Sequence, residues 1–123
     1  MWLSFNNAFL SIVEPEPRAG GKSPQLLVRA RRAGDIEAVF PGVTVEKRPE
    51  RDYLFRALID REVVATIVAD RVMTIDYGNF KDSVRNNALH DAYAAVWGIM
   101  ARLQPTRPYS GAAAARGRQR SML

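Results

Sequence analysis

An α+β sandwich is the fold class this sequence predicts, on three observations: the order of its elements, the two-residue alternation of two central segments, and the helical spacing of apolar residues further on. Strand-like runs come first, then a short helix, two more strands and two longer helices, an order ββαββαα.

Trp2–Val13 is mostly apolar and favours β structure, interrupted by Asn6-Asn7. It reads as a strand with a bulge at that pair, or as two short strands meeting there. Glu14–Pro24 holds Pro15, Pro17, Gly20, Gly21 and Pro24 and reads as a hairpin loop. Gln25–Arg31 is the second strand. Its alternation sends Leu26, Val28 and Ala30 to the core and Leu27, Arg29 and Arg31 to the opposite face. Ala33–Phe40 is a short helix with Ile36, Val39 and Phe40 as its buried stripe, stopped by Pro41-Gly42.

Val43–Arg48 and Asp52–Ile59 are the third and fourth strands, and the fourth sends Tyr53, Phe55, Ala57 and Ile59 inward. Asp60 then caps a helix running to about Ile75, with Val64, Ile67, Val68, Val72 and Ile75 along one face. Leu89, Tyr93, Val96, Met100 and Leu103 mark the last helix. A helical crossover between strands two and three, with hairpins elsewhere, gives the order 1-2-4-3 with antiparallel neighbours. This is a ferredoxin-like-type sandwich in circularly permuted form: four antiparallel strands with the helices on one face. Residues 1–103 are expected to form a single globular domain and 104–123, rich in Pro, Gly, Ala and Arg, a disordered basic tail.

Composition excludes several classes. Of the 123 residues 47% are hydrophobic and 25% charged, ordinary for a globular protein and unlike a disordered one. The absence of cysteine removes disulfides, thiol catalysis and cysteine-ligated zinc, and fits a cytoplasmic location. No apolar run approaches the ~20 residues of a membrane span. The net charge of +5 is largely a property of the tail. Arg107, Arg116, Arg118 and Arg120 lie there without an acid, which leaves 14 of the 18 basic residues against 13 acidic ones in the body. Nucleic acid is therefore expected only as non-specific contact with the tail. No cofactor or metal is expected, since the single His90 has no second histidine or cysteine to join it.

Two clusters are candidate sites. The open sheet face carries Arg29, Arg31 and Arg56, with Arg48, Glu46 and Thr44 among them, and guanidinium forks suit phosphates or carboxylates. The same face also reads as a solvated one with Glu46 pairing an arginine, or as one covered by another subunit. The helix junction gathers Asp76, Tyr77, Lys81 and His90, a set capable of acid–base work. It also reads as a structural turn: Phe80 anchors it, Lys81 pairs with Asp76 or Asp91, and Asp82 or Asn86 caps the helix beyond.

Ile75-Asp76-Tyr77 with Asn79-Phe80-Lys81-Asp82, then His90-Asp91-Ala92-Tyr93 and Val96-Trp97, resembles a group of small bacterial proteins with no established activity. Val28-Arg29-Ala30-Arg31 and Gly34-Asp35 are similar too, so the likeness spans residues 2–103. It implies domain limits and no chemistry. The sequence thus predicts a cytoplasmic accessory protein acting through contact with a protein partner, a homodimer among the possibilities. Anion or nucleic-acid binding on the arginine face comes second, and an enzyme built on Asp76, Lys81 and His90 third.

Overall fold

The computed structural model describes residues 1–16 and 21–106. The strands are β1 (Trp2–Phe5), β2 (Ala8–Val13), β3 (Gln25–Ala30), β4 (Glu46–Lys47) and β5 (Phe55–Asp60). The helices are α1 (Asp35–Val39), α2 (Arg61–Met73) and α3 (Asn87–Met100). The tail expected over 104–123 falls almost wholly on residues 107–123, outside the described residues.

The fold is α+β, but its sheet has five strands rather than four, in the order β1-β2-β3-β5-β4 with every pair antiparallel. The difference lies at Asn6-Asn7. These residues form a two-residue loop that brings Phe5 opposite Ala8 and Trp2 opposite Ser11. Asparagine tolerates the backbone angles of tight loops, so the pair turns the chain instead of bulging it. At the other edge β4 is only two residues long; Val43 and Val45, expected in the same strand, pack against the core but lie outside the ladder.

Among the described residues, those up to Ile75 form one compact unit and those from Asp76 onward a second. In the first, Leu10, Ile12, Val28, Ala30, Ala57 and Ile59 of the sheet pack with Ile36, Val39 and Phe40 of α1 and Val64 of α2. Both helices therefore lie on one face. Gly34 and Gly42, on either side of α1, take φ of 90° and 84°, left-handed angles that cost a residue with a Cβ about 1–2 kcal/mol. Asp35 is 4% exposed and fixes the entry to α1. It accepts from the Arg32 guanidinium at 2.7 Å and from the Phe9 amide at 3.1 Å.

Asp60 stands at the N-cap of α2, yet its side chain makes no capping bond and instead accepts weakly from Gln25 Nε2 at 3.4 Å. Near the other end Arg71 ties the helix down. It donates to Asn7 Oδ1 at 2.9 Å and to the Ala38 carbonyl at 3.3 Å, with its guanidinium 4.8 Å from the Phe5 ring centre. The helix stops at Met73, and Val72 and Ile75, expected on its buried stripe, are exposed.

In the second unit Asn86 caps α3 by accepting from the Leu89 amide at 2.9 Å. Leu89 and Tyr93 are buried, while Val96, Met100 and Leu103, expected on the same stripe, are exposed.

Candidate functional site: an arginine row on the open sheet face

Strand register builds the site. Ile12, Val28 and Ala57 stand opposite one another on the helix-covered face. The next row points the other way and crosses the whole sheet: Trp2 opposite Ser11, Ser11 opposite Arg29, Arg29 opposite Arg56, Arg56 opposite Glu46. Val13, Leu27 and Leu58 form the row beside it. Arg31, one residue past the end of β3, stacks on the same Tyr53 ring as Arg29, so Arg29, Arg31 and Arg56 share a face.

Arg29 and Arg56 face each other on adjacent central strands, a like-charge pairing that costs about 0.2–1 kcal/mol. Arg29 donates through Nη2 to the buried Ser11 hydroxyl at 2.6 Å. Among the described residues it has no carboxylate partner. Arg56 has one, Asp52 at 3.2 Å, but that carboxylate is 68% exposed and so heavily screened. The Nε–H groups of both arginines are buried without an acceptor among the described residues. Such an orphaned donor costs about 1–3 kcal/mol.

Tyr53 is expected in the core beneath the helices, and the structure corrects this. Its ring is buried beside the arginines, with the guanidinium carbons of Arg29 and Arg31 at 4.5 and 4.3 Å from its centre. Strand β5 begins only at Phe55, so the alternation read from Asp52 does not extend back to Tyr53. Arg31 also donates to the Asp52 carbonyl at 3.0 Å, which holds its plane in place. Tyr53, Ser11 and Trp2 are members of this face that strand-by-strand reading misses; the register across strands finds Ser11 and Trp2, and Tyr53, outside the ladder, is placed by its contacts with Arg29 and Arg31.

Beside Arg56 the open face sinks into a cleft of about 640 Å³. Leu27 and Leu58 give it apolar surface, Gln25 and Thr44 neutral polar groups, and Arg48, Arg51 and Arg56 positive charge. Glu46 does pair with an arginine, but with Arg48 of the adjoining turn at 3.1 Å and not across to Arg56. Arg48 also reaches Glu50 at 3.4 Å. Glu46 first, then Glu50, hold Arg48 above the ordinary guanidinium range. Glu50 in turn lies below the ordinary carboxylate range, through its own backbone amide and then Arg48 and Arg51. Arg51 has no carboxylate within ion-pair distance among the described residues. Pro15, Glu16 and Ser23 of the β2–β3 loop also line the cleft. Next to them Glu14 accepts from the Ser23 amide at 2.6 Å and from Arg61 Nη2 at 2.7 Å, which fixes the two ends of that loop.

The helix-junction residues are arranged differently. Tyr77 and Tyr93 flank Phe80, at ring separations of 5.8 and 5.2 Å. Lys81 stands 5.1 Å from the centre of the Trp97 ring, and so does not make the expected pair with Asp76 or Asp91. His90 lies 3.6 Å from Asp91, both in contact with solvent. No hydrogen bond or ion pair joins Asp76, Lys81 and His90 among the described residues. Nor do three His, Cys, Asp or Glu side chains there gather as a metal site would require. No helix of the described residues is long and apolar enough to cross a membrane. No family model, curated protein or solved structure matches this chain.

Proposed function

We propose that this protein works by contact with another protein and that α3 is its contact helix. The observation that carries the reading is the crowding of exposed apolar side chains at the end of α3: Val96, Trp97, Ile99, Met100 and, just beyond, Leu103 at 77%. Scattered surface apolar residues are ordinary, but five within eight positions form a contiguous patch of the kind that marks association surfaces. The helix bears only His90 and Asp91 as ionisable side chains beside the buried Tyr93, and Arg102 is the single charge between Val96 and Leu103, so little like charge opposes the approach of an identical helix. A second copy of the chain is therefore the first partner in the proposal. Cytoplasmic location, the bacterial family resemblance, and a ferredoxin-like reading of β2, β3, β5 and β4 belong to the same proposal. The sheet order and the crossover through α1 support the last of these.

Light scattering on the eluting full chain across a wide concentration range tests it. Association is expected, and Ile99→Glu with Trp97→Glu is expected to abolish it while leaving the circular dichroism of the fold intact. If the chain stays monomeric, hydroxyl-radical labelling of Trp97 and Met100 in native extract decides. Labelling equal to that of the pure protein would sink the proposal.

A further inference from the structure

We infer that the cleft beside Arg56 binds a phosphate monoester of nucleotide size, the phosphate on Arg51 and Arg56 and the planar or apolar body on Leu27 and Leu58. The inference is independent of α3, and either reading can fail without the other.

Charge comes first. Arg29 and Arg56 place two cations opposite each other at the centre of the sheet, each with an orphaned Nε–H. Arg29 has no carboxylate partner among the described residues; Arg56 has Asp52, which is exposed, and Glu46 opposite it in the ladder is taken by Arg48. An anion seated at Arg56 supplies the charge that this part of the sheet lacks.

The number of forks then selects the anion. A carboxylate has two oxygens and is matched by a single guanidinium, whereas a phosphate monoester presents three acceptor oxygens and nearly two charges at pH 7. Three guanidinium groups line this cleft, Arg48, Arg51 and Arg56, against two carboxylates, Glu16 and Glu46, so its lining is net positive by one charge. Arg48 is engaged by Glu46 and Glu50 and forms a fixed wall, while Arg51 is free of ion pairs among the described residues and Arg56 is held only by Asp52. Arginine is also the residue whose planar fork fits phosphate oxygens in pairs.

Volume and lining select the body. Inorganic phosphate alone fills a small part of about 640 Å³, a size typical of sites for organic ligands. Leu58 is 55% exposed and Leu27 faces the same space, an apolar surface suited to the flat side of a base. Gln25 and Thr44 stand at its edge as hydrogen-bonding groups for ring nitrogens or hydroxyls.

The test is an NMR titration of the isotope-labelled full chain, following arginine Nε–H signals and backbone amides together. The probes are adenosine monophosphate, adenosine, inorganic phosphate, succinate, and one short oligonucleotide with either a 5′-phosphate or a 5′-hydroxyl. Adenosine monophosphate is expected to move Arg51, Arg56, Leu27 and Leu58 in concert, and inorganic phosphate to move the arginines alone. Arg51→Ala, on an exposed turn where folding is not at stake, and Arg56→Lys are each expected to weaken the nucleotide by about tenfold or more. A free nucleotide as the source predicts no binding of either oligonucleotide, and a strand terminus predicts binding of the 5′-phosphorylated one alone. Equal shifts from both oligonucleotides would mean a surface that tracks phosphodiesters and would overturn the inference. So would succinate matching adenosine monophosphate, an unchanged affinity in Arg51→Ala, or silence at Leu27 and Leu58.

Discussion

Replacing Asp35 removes the anchor between the β1–β2 hairpin and α1, and its cost can be worked from two contacts. The carboxylate is almost wholly buried and accepts from the Phe9 amide at 3.1 Å. A hydrogen bond to a charged group contributes about 1.5–3 kcal/mol, and an amide left without its acceptor brings the upper part of that range within reach. Arg32 makes the second contact at 2.7 Å, but its side chain is 35% exposed, so screening limits this ion pair to about 1 kcal/mol or less. Asp35→Ala should therefore cost about 2–4 kcal/mol, a large share of the ~5–15 kcal/mol that holds a domain folded. Asp35→Asn keeps an acceptor oxygen for Phe9 and loses only charge, for a cost of about 1–2 kcal/mol. Urea unfolding followed by circular dichroism reads both, with the midpoint falling at constant slope. A cost below about 0.5 kcal/mol for Asp35→Ala, or equal costs for the two variants, would refute the reasoning.

Four further outcomes are expected. Gly34→Ala should destabilise by about 1–2 kcal/mol through its left-handed backbone, whereas Gly98→Ala, inside α3 with open space where a Cβ would stand, should stabilise by up to about 1 kcal/mol; thermal unfolding of the pair separates the signs. Asn86→Ala should cost about 1 kcal/mol and speed amide exchange of Leu89 and His90 in the first turn of α3 without changing exchange in β3. Arg71→Met should loosen the Asn6-Asn7 loop, seen as faster amide exchange at Asn7 and Ala8, while Arg71→Lys should restore the charge without the two-point bond. Glu50 should titrate below the ordinary 4.5 of a glutamate side chain. Because its folded value is the depressed one, the support it lends the β4–β5 turn is complete above the unfolded value and is lost as pH falls through the folded one; carbon-detected titration of its carboxyl, with Arg48 Nε–H alongside, checks both the direction and the window.

The sequence makes some of this molecule plain and leaves the rest to long-range geometry. Gln25–Ala30 is legible because its two-residue alternation is regular, but the sharing of one face by Arg29, Arg31 and Arg56 rests on the pairing of Arg29 with Arg56 and on the Tyr53 ring under Arg31. Asn6-Asn7 is ambiguous in isolation, because the same two residues suit a bulge and a turn; the pairing of Phe5 with Ala8 decides it. Alternation misplaces Tyr53 because it holds only within a strand, and the strand starts two residues later. The cleft is out of reach for a different reason. It depends on which residues of three strands and three loops come to stand beside one another, and on Arg48 turning back to Glu46 and Glu50. The apolar spacing of α3 is legible, but spacing says only that a face is apolar and not whether this chain covers it.

The two ends of the sheet differ in a way that gives it a direction. At one end β4 offers two residues, both charged, followed by Arg48 and Pro49. At the other, β1 runs four residues, Trp-Leu-Ser-Phe, without a charge or a proline, and no further strand is paired to it among the described residues. Charge and proline are the features that stop an edge from recruiting another strand, and short length adds to their effect. Growth of this sheet is thus closed on the β4 side and open on the β1 side. An extended segment that joined the sheet would have to add next to Trp2–Phe5, so a charge introduced at Ser4 is the economical way to make the protein resist strand-by-strand assembly.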